Sequence, residues 1–171
     1  MNDLKKELKR MIGQKGLKAV ENAILEYSIE YKNSLYTKED GENAMKYHLD
    51  RSKNGVKSPV LDLDRNGNAI GYTVKSDCIL PDGKSDRFTV KIKGESFKSQ
   101  QGMILIKEGK LYRLEENGKE SIVRHLCLYN HCLNPLHYAF GSNSQNQSDE
   151  GIWIKSGYKE KPDRTKKDQN K

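Results

Sequence analysis

The stretch His125-Leu126-Cys127-Leu128-Tyr129-Asn130-His131-Cys132-Leu133-Asn134-Pro135-Leu136-His137 decides how the rest of the chain is read. Cys127 and Cys132 are separated by four residues, and Cys132 and His137 by four more. Two thiolates and an imidazole in so compact a loop can meet on one Zn²⁺ ion. Structural zinc takes a fourth ligand, and the one remaining cysteine is Cys78. It follows a predicted strand over 69–76 and precedes a Pro81-Asp82-Gly83 turn. A Cys₃His tetrahedron would use all three cysteines and pin the middle of the chain to this loop. Cysteine also serves as a small buried hydrophobe. The compact spacing, the proline turn and the matching supply of ligands favour zinc.

The chain has 171 residues, which suits one domain with a small appendage. Hydrophobic residues make up 34% and charged residues 32%, so the core is lean. A metal clamp would contribute folding free energy directly to such a core. The net charge of +7 suits an anionic partner, nucleic acid above all. No run approaches the roughly 18–20 apolar residues that span a bilayer. The opening MNDLKKELKR lacks the apolar region of a secretory signal. No membrane partner is expected. An odd number of cysteines fits reduced thiols or metal ligation, and so an intracellular setting, cytoplasm or nucleus, of bacterial, phage or viral origin.

Three parts are expected: a helical segment over 1–55, a core over 56–154 and a basic tail over 155–171. Residues 2–12 and 16–33 read as helices, with Leu17, Val20, Ile24, Tyr27 and Tyr31 at helical spacing. Gly13 and Gly16 punctuate them, and a third helix runs from about Lys38 to Arg51 before Asn54-Gly55. This segment either packs on the core or clasps a partner. From Pro59 the period changes to strand, Asn66-Gly67 turn, strand. Residues 87–93 alternate polar and apolar. Residues 103–106, 111–114 and 121–126 read as further strands, with turns at Gly109 and Asn117-Gly118, giving a central antiparallel sheet. The tail carries a net charge of +4 and is either a source of phosphate contacts or a solubilising terminus.

Asp62-x-Asp64-x-Asn66-Gly67 matches the start of a calcium-binding EF-hand loop. The acid needed at position 12 is replaced by Thr73, and a hairpin turn explains the same residues.

Beyond the zinc loop, residues 136–140 read as a strand, and a helix capped by Ser142 or Asn143 runs towards Trp153. The unit is strand, zinc loop, strand, helix. A histidine on its first strand and an amide on the first turn of its helix can converge on one point. Trp153 reads as a packing residue, His131 as an exposed loop residue, and His48 has no supporting context.

His-Leu-Cys, four residues, Cys, then Asn-Pro-Leu-His, followed nine residues later by Asn146, resembles the His-Cys box homing endonucleases of the ββα-metal, or His-Me finger, nucleases. The resemblance covers about 125–146. It implies an α+β fold with a zinc-stabilised ββα-metal unit and a sheet that enters the DNA major groove. It implies His125 as general base, Asn146 as ligand of one catalytic Mg²⁺, and Cys78, Cys127, Cys132 and His137 as ligands of structural Zn²⁺. An upstream arginine beside the scissile phosphate is also implied; Arg87 is the candidate, with Lys91 and Lys93 competing. No cysteine follows Cys132, so the second zinc site of some family members is missing here.

The function expected on this basis is site-specific hydrolysis of double-stranded DNA by a homodimeric endonuclease of homing or restriction type, leaving 5′-phosphate and 3′-hydroxyl ends. The alternatives are a non-catalytic zinc-containing DNA-binding regulator and a nonspecific nuclease or toxin.

Overall fold

The computed structural model describes residues 2–83 and 87–161. Residues 162–171, most of the expected basic tail, lie outside this range. Helix α1 (Asn2–Ser34) is broken at Gly13, whose φ of 73° and ψ of 168° leave the helical region. Lys5 Nζ reaches Glu21 Oε1 at 3.5 Å. Sixteen residues of straight helix would span about 24 Å, so the two arms fold back on each other. Leu17 is buried, whereas Ile24, Tyr27 and Tyr31 are exposed. Helix α2 (Lys38–Asp50) starts at a reciprocal cap. Asp40 N donates to Thr37 Oγ1, and Thr37 N donates to Asp40 Oδ2.

Strands β1 (Lys53–Leu63) and β2 (Ala69–Leu80) form a long antiparallel ribbon, with Leu61 opposite Tyr72 and Val56 opposite Cys78. Its tip is an Asx turn. Asp64 Oδ1 accepts from Asn66 N and Asn68 N, Gly67 takes a φ of 80°, and Thr73 Oγ1 donates to Asp62 Oδ2. Strands β3 (Thr89–Ile92) and β4 (Glu95–Lys98) follow the expected alternation, with Val90, Ile92 and Phe97 facing inward. They turn through Lys93 and Gly94, both at positive φ.

Residues 103–106, expected as a strand, lie instead in helix α3 (Ser99–Glu108). A short continuous apolar run has no period that separates a buried strand from a buried helix. Met103, Ile104 and Leu105 are all fully buried, because α3 is packed on more than one side. Gly109 serves as the left-handed cap of α3. Residues 111–114 also form no strand. The side chain of Asn33 accepts from Leu111 N and Tyr112 N and donates to Tyr112 O, so these groups are satisfied without a ladder. The turn at Asn117-Gly118 forms as expected, closed by a lone bridge between Leu114 and Glu120.

Strand β5 (Ile122–His125) pairs with β6 (Tyr138–Gly141), with His125 opposite Tyr138. Between them lie the zinc loop and a 3₁₀ turn at Pro135–His137. Helix α4 (Asn143–Lys155) opens with a capping box between Ser142 and Gln145. The fold is therefore α+β. The single central sheet is corrected, among the described residues, to three separate two-stranded ribbons, with α3 intervening between β4 and β5.

Two apolar clusters share the interior. One joins α2, β3, β4, α3 and β6 through Met45, Ile92, Phe97, Met103 and Phe140. The other joins the β1–β2 ribbon, the zinc loop and α4 through Val60, Leu61, Cys78, Cys132 and Trp153. Cys132 belongs to the second cluster and its neighbour Leu133 to the first, so the loop ties the two together. Among the described residues no helix is long and apolar enough to cross a membrane.

Candidate zinc centre and neighbouring residues

Cys78, Cys127, Cys132 and His137 are all buried, and their ligand atoms lie within 4.8 Å of one another. Four backbone contacts bring them together. Val60 bridges Cys127, and Leu61 N donates to Leu126 O at 2.8 Å. Leu133 N donates to Ile79 O, and Leu126 N to His137 O, each at 2.7 Å. The ribbon carrying Cys78 is thus hydrogen-bonded to the loop carrying the other three. Asn134 shapes the last turn: its side chain caps Leu136 N and donates to Asp77 O at 2.6 Å.

The donor set fits zinc. Tetrahedral Zn²⁺ with ordinary Zn–S and Zn–N bonds places a nitrogen and a sulfur ligand about 3.6 Å apart. His137 Nδ1 lies 3.4 Å from Cys78 Sγ and 3.5 Å from Cys132 Sγ. Its other nitrogen, Nε2, lies 3.0 Å from Asp77 Oδ1. With Nδ1 facing the ion, Nε2 carries the proton and donates it to Asp77, an outer-shell carboxylate that fixes tautomer and ring plane. Asn134 N donates to Cys132 Sγ at 3.4 Å.

The protonation pattern shows how these groups load one another. Hydrogen bonds from Cys127 and Cys78 hold the Cys132 thiol well below its usual range. Hydrogen bonds with Cys132 and Cys78, with burial, push Cys127 well above it. For His137 burial alone favours the neutral ring, but hydrogen bonds to Cys132 and Cys78 outweigh it and raise the imidazole to about 10. Proton sharing at such a site is what a divalent cation replaces, since zinc binds the deprotonated ligands. Cys78, Cys127, Cys132 and His137 could therefore hold a metal ion such as structural zinc.

No family model, curated protein or solved structure matches this chain.

His125 ends β5 in a half-buried position. Its Nε2 lies 3.0 Å from Cys127 Sγ, and its ring is 5.4 Å from that of Tyr138. Burial pushes the imidazole down to about 4, partly opposed by the Cys132 thiolate and reinforced by the Arg87 guanidinium. At neutral pH the ring is neutral and one nitrogen keeps a lone pair. Arg87 is exposed just before β3, and its charge reaches both His125 and Tyr138. Lys91 and Lys93 are exposed, and Lys93 Nζ donates to Leu35 O at 2.8 Å. Asn146 is exposed on the first turn of α4. Its amide oxygen is the hard donor type that Mg²⁺ accepts. His131 is half-buried with its ring 6.0 Å from Tyr129, not fully exposed as expected. Trp153 is a packing residue, as expected.

Two contributors went unread in the sequence. Asp77 directly precedes the candidate ligand Cys78, and that adjacency was the available signal. Arg124 is fully buried next to His125. Its Nε and Nη2 donate to Asp149 at 2.9 and 2.8 Å, and its Nη1 donates to Gly67 O at 2.6 Å. Asp149 lies one turn beyond Asn146, so this fork locks α4 to β5 and to the ribbon tip. An arginine within the otherwise apolar Ile122-Val123 run was the clue.

Proposed function

We propose that this protein is a metal-dependent DNA endonuclease of the His-Cys box kind. The observation that carries the reading is the fourfold cluster of Cys78, Cys127, Cys132 and His137 around which strand, loop, strand and helix are arranged. His125 stands on the first strand of that unit and Asn146 on the first turn of its helix.

In this reading neutral His125 takes a proton from water, and the resulting hydroxide forms a bond to phosphorus while the bond to the 3′ oxygen breaks. The 3′ oxygen leaves with the bonding pair and takes a proton from solvent water, and His125 returns its proton to solvent, so the products are a 5′ phosphate and a 3′ hydroxyl. Arg87 binds a non-bridging phosphate oxygen and stabilises charge that grows there. Asn146 would hold a divalent cation, which when bound would supply neutralisation of charge at the phosphate. The Arg124–Asp149 pair keeps the helix with Asn146 at a set distance from β5.

The contact of His125 Nε2 with Cys127 Sγ favours a second reading, in which His125 only supports the zinc loop and the protein is a DNA-binding regulator. One experiment separates them. Zinc-loaded protein is incubated with a large, sequence-diverse DNA, with and without Mg²⁺, beside His125→Ala. Discrete fragments from wild type with Mg²⁺ alone support the endonuclease. A smear with the same dependence indicates a nonspecific nuclease. DNA binding without cleavage, or full cleavage by His125→Ala, rejects the proposed mechanism.

A further inference from the structure

A cleft of about 420 Å³ is lined by Arg87, Phe88, Thr89, Lys98 and Asn130. The first three lead into and begin β3, Lys98 ends β4, and Asn130 comes from the zinc loop. Among the described residues the lining offers two cations, a hydroxyl and a carboxamide, and no acid. A larger cleft of about 840 Å³ beside the start of α4 has the opposite balance, with Asp64, Glu108, Glu115 and Glu116 against Arg65 and Arg113. The first suits an anion better than the second. Donors from three chain segments suit an anion with oxygens on several sides, as a phosphate diester presents, better than a planar carboxylate.

We infer that this cleft is a phosphate subsite, in which Lys98 and Asn130 hold a backbone phosphate of a polynucleotide beside the one that Arg87 engages. Placing that phosphate next to the reacting one rests on the nuclease reading; the anion chemistry of the cleft does not. Lys98 and Asn130 are exposed, so an ammonium and an amide N–H reach the ligand without movement of the backbone. They are positioning residues. Their contacts set affinity and register along the strand and leave the chemical step alone.

The test uses the full, zinc-loaded chain and a mixed-sequence duplex, with binding followed by fluorescence anisotropy between 50 and 200 mM KCl. Removing one ionic phosphate contact makes the slope of log K against log salt shallower by about 0.9. Lys98→Ala is expected to weaken binding and show that change, and Lys98→Arg to restore the wild-type slope. Asn130→Ala is expected to weaken binding with the slope intact, because its donor is neutral. Lys110→Ala, an exposed lysine elsewhere, is the control and is expected to match wild type. The subsite is overturned if Lys98→Ala keeps wild-type affinity and slope, if Lys110→Ala shifts them equally, or if wild type binds no duplex. A wild type that binds but never cleaves removes the nuclease reading while the slopes still decide the subsite.

Discussion

His137 Nε2 and Asp77 Oδ1 lie 3.0 Å apart across 60 residues of chain, on the side of the imidazole away from the sulfur ligands. Outer-shell carboxylates of this kind commonly change metal affinity by about 10- to 100-fold when removed. Asp77→Asn is expected to weaken zinc binding within that range while the zinc-loaded protein keeps its fold. Competition with a chromophoric chelator measures it. Unchanged affinity would show that the contact does not tune the site.

Removal of the metal is expected to cost far more than one contact. Cys132 is fully buried, and the loop that carries it joins the two apolar clusters. Cys132→Ser, or chelation of the wild type, is expected to lower stability by more than about 4 kcal/mol. Thermal unfolding with metal analysis checks this: one zinc per chain in wild type, a lower Tm on chelation, and recovery when zinc is returned. A Tm indifferent to metal would mean that three buried cysteines merely pack.

The Arg124–Asp149 pair is buried on both sides, with 0% and 5% of the side chains exposed, so solvent screens it little. Removing one partner strands a buried charge, which typically costs about 3–5 kcal/mol. Arg124→Met and Asp149→Leu are each expected to destabilise by that order in urea unfolding. The double variant is expected to recover much of the loss. Strictly additive losses would contradict direct pairing.

Gly141 explains itself through the same arginine. A Cβ there would collide with Arg124 Cδ and sit 2.6 Å from Gln145 Oε1. Gly141→Ala must displace a forked, buried guanidinium, and a loss of about 1–3 kcal/mol is expected. At Gly102 the nearest atom is the Met45 sulfur at 2.8 Å, the end of a flexible side chain. Gly102→Ala is expected to cost less than Gly141→Ala. Chemical denaturation of the two variants side by side tests the order.

Much of the candidate centre is legible in the sequence. Cys127, Cys132 and His137 lie within one short loop, so their meeting follows from local chain geometry. Cys78 was reachable by counting cysteines, because zinc takes four ligands and one was left. Asp77 was not reachable that way: an acid beside a cysteine is common, and its aim at His137 depends on the register between β2 and the loop. Arg124 was equally hidden, since its partner lies 25 residues away on another element.

The sequence by itself determined the features that nearest neighbours decide. The Ser142–Gln145 and Thr37–Asp40 caps, the Asp64 turn, the alternation through Val90 and Ile92, and the ligand spacing all act over a few residues of chain. Only the tertiary structure decided that Met103-Ile104-Leu105 is helix, because a run apolar on every side takes its form from the surfaces around it. It also decided that Asn33 takes the backbone groups of Leu111 and Tyr112 away from a sheet, and that the strands part into three ribbons. Those outcomes depend on which groups meet across tens of residues, where competing partners, not local propensity, settle the free energy.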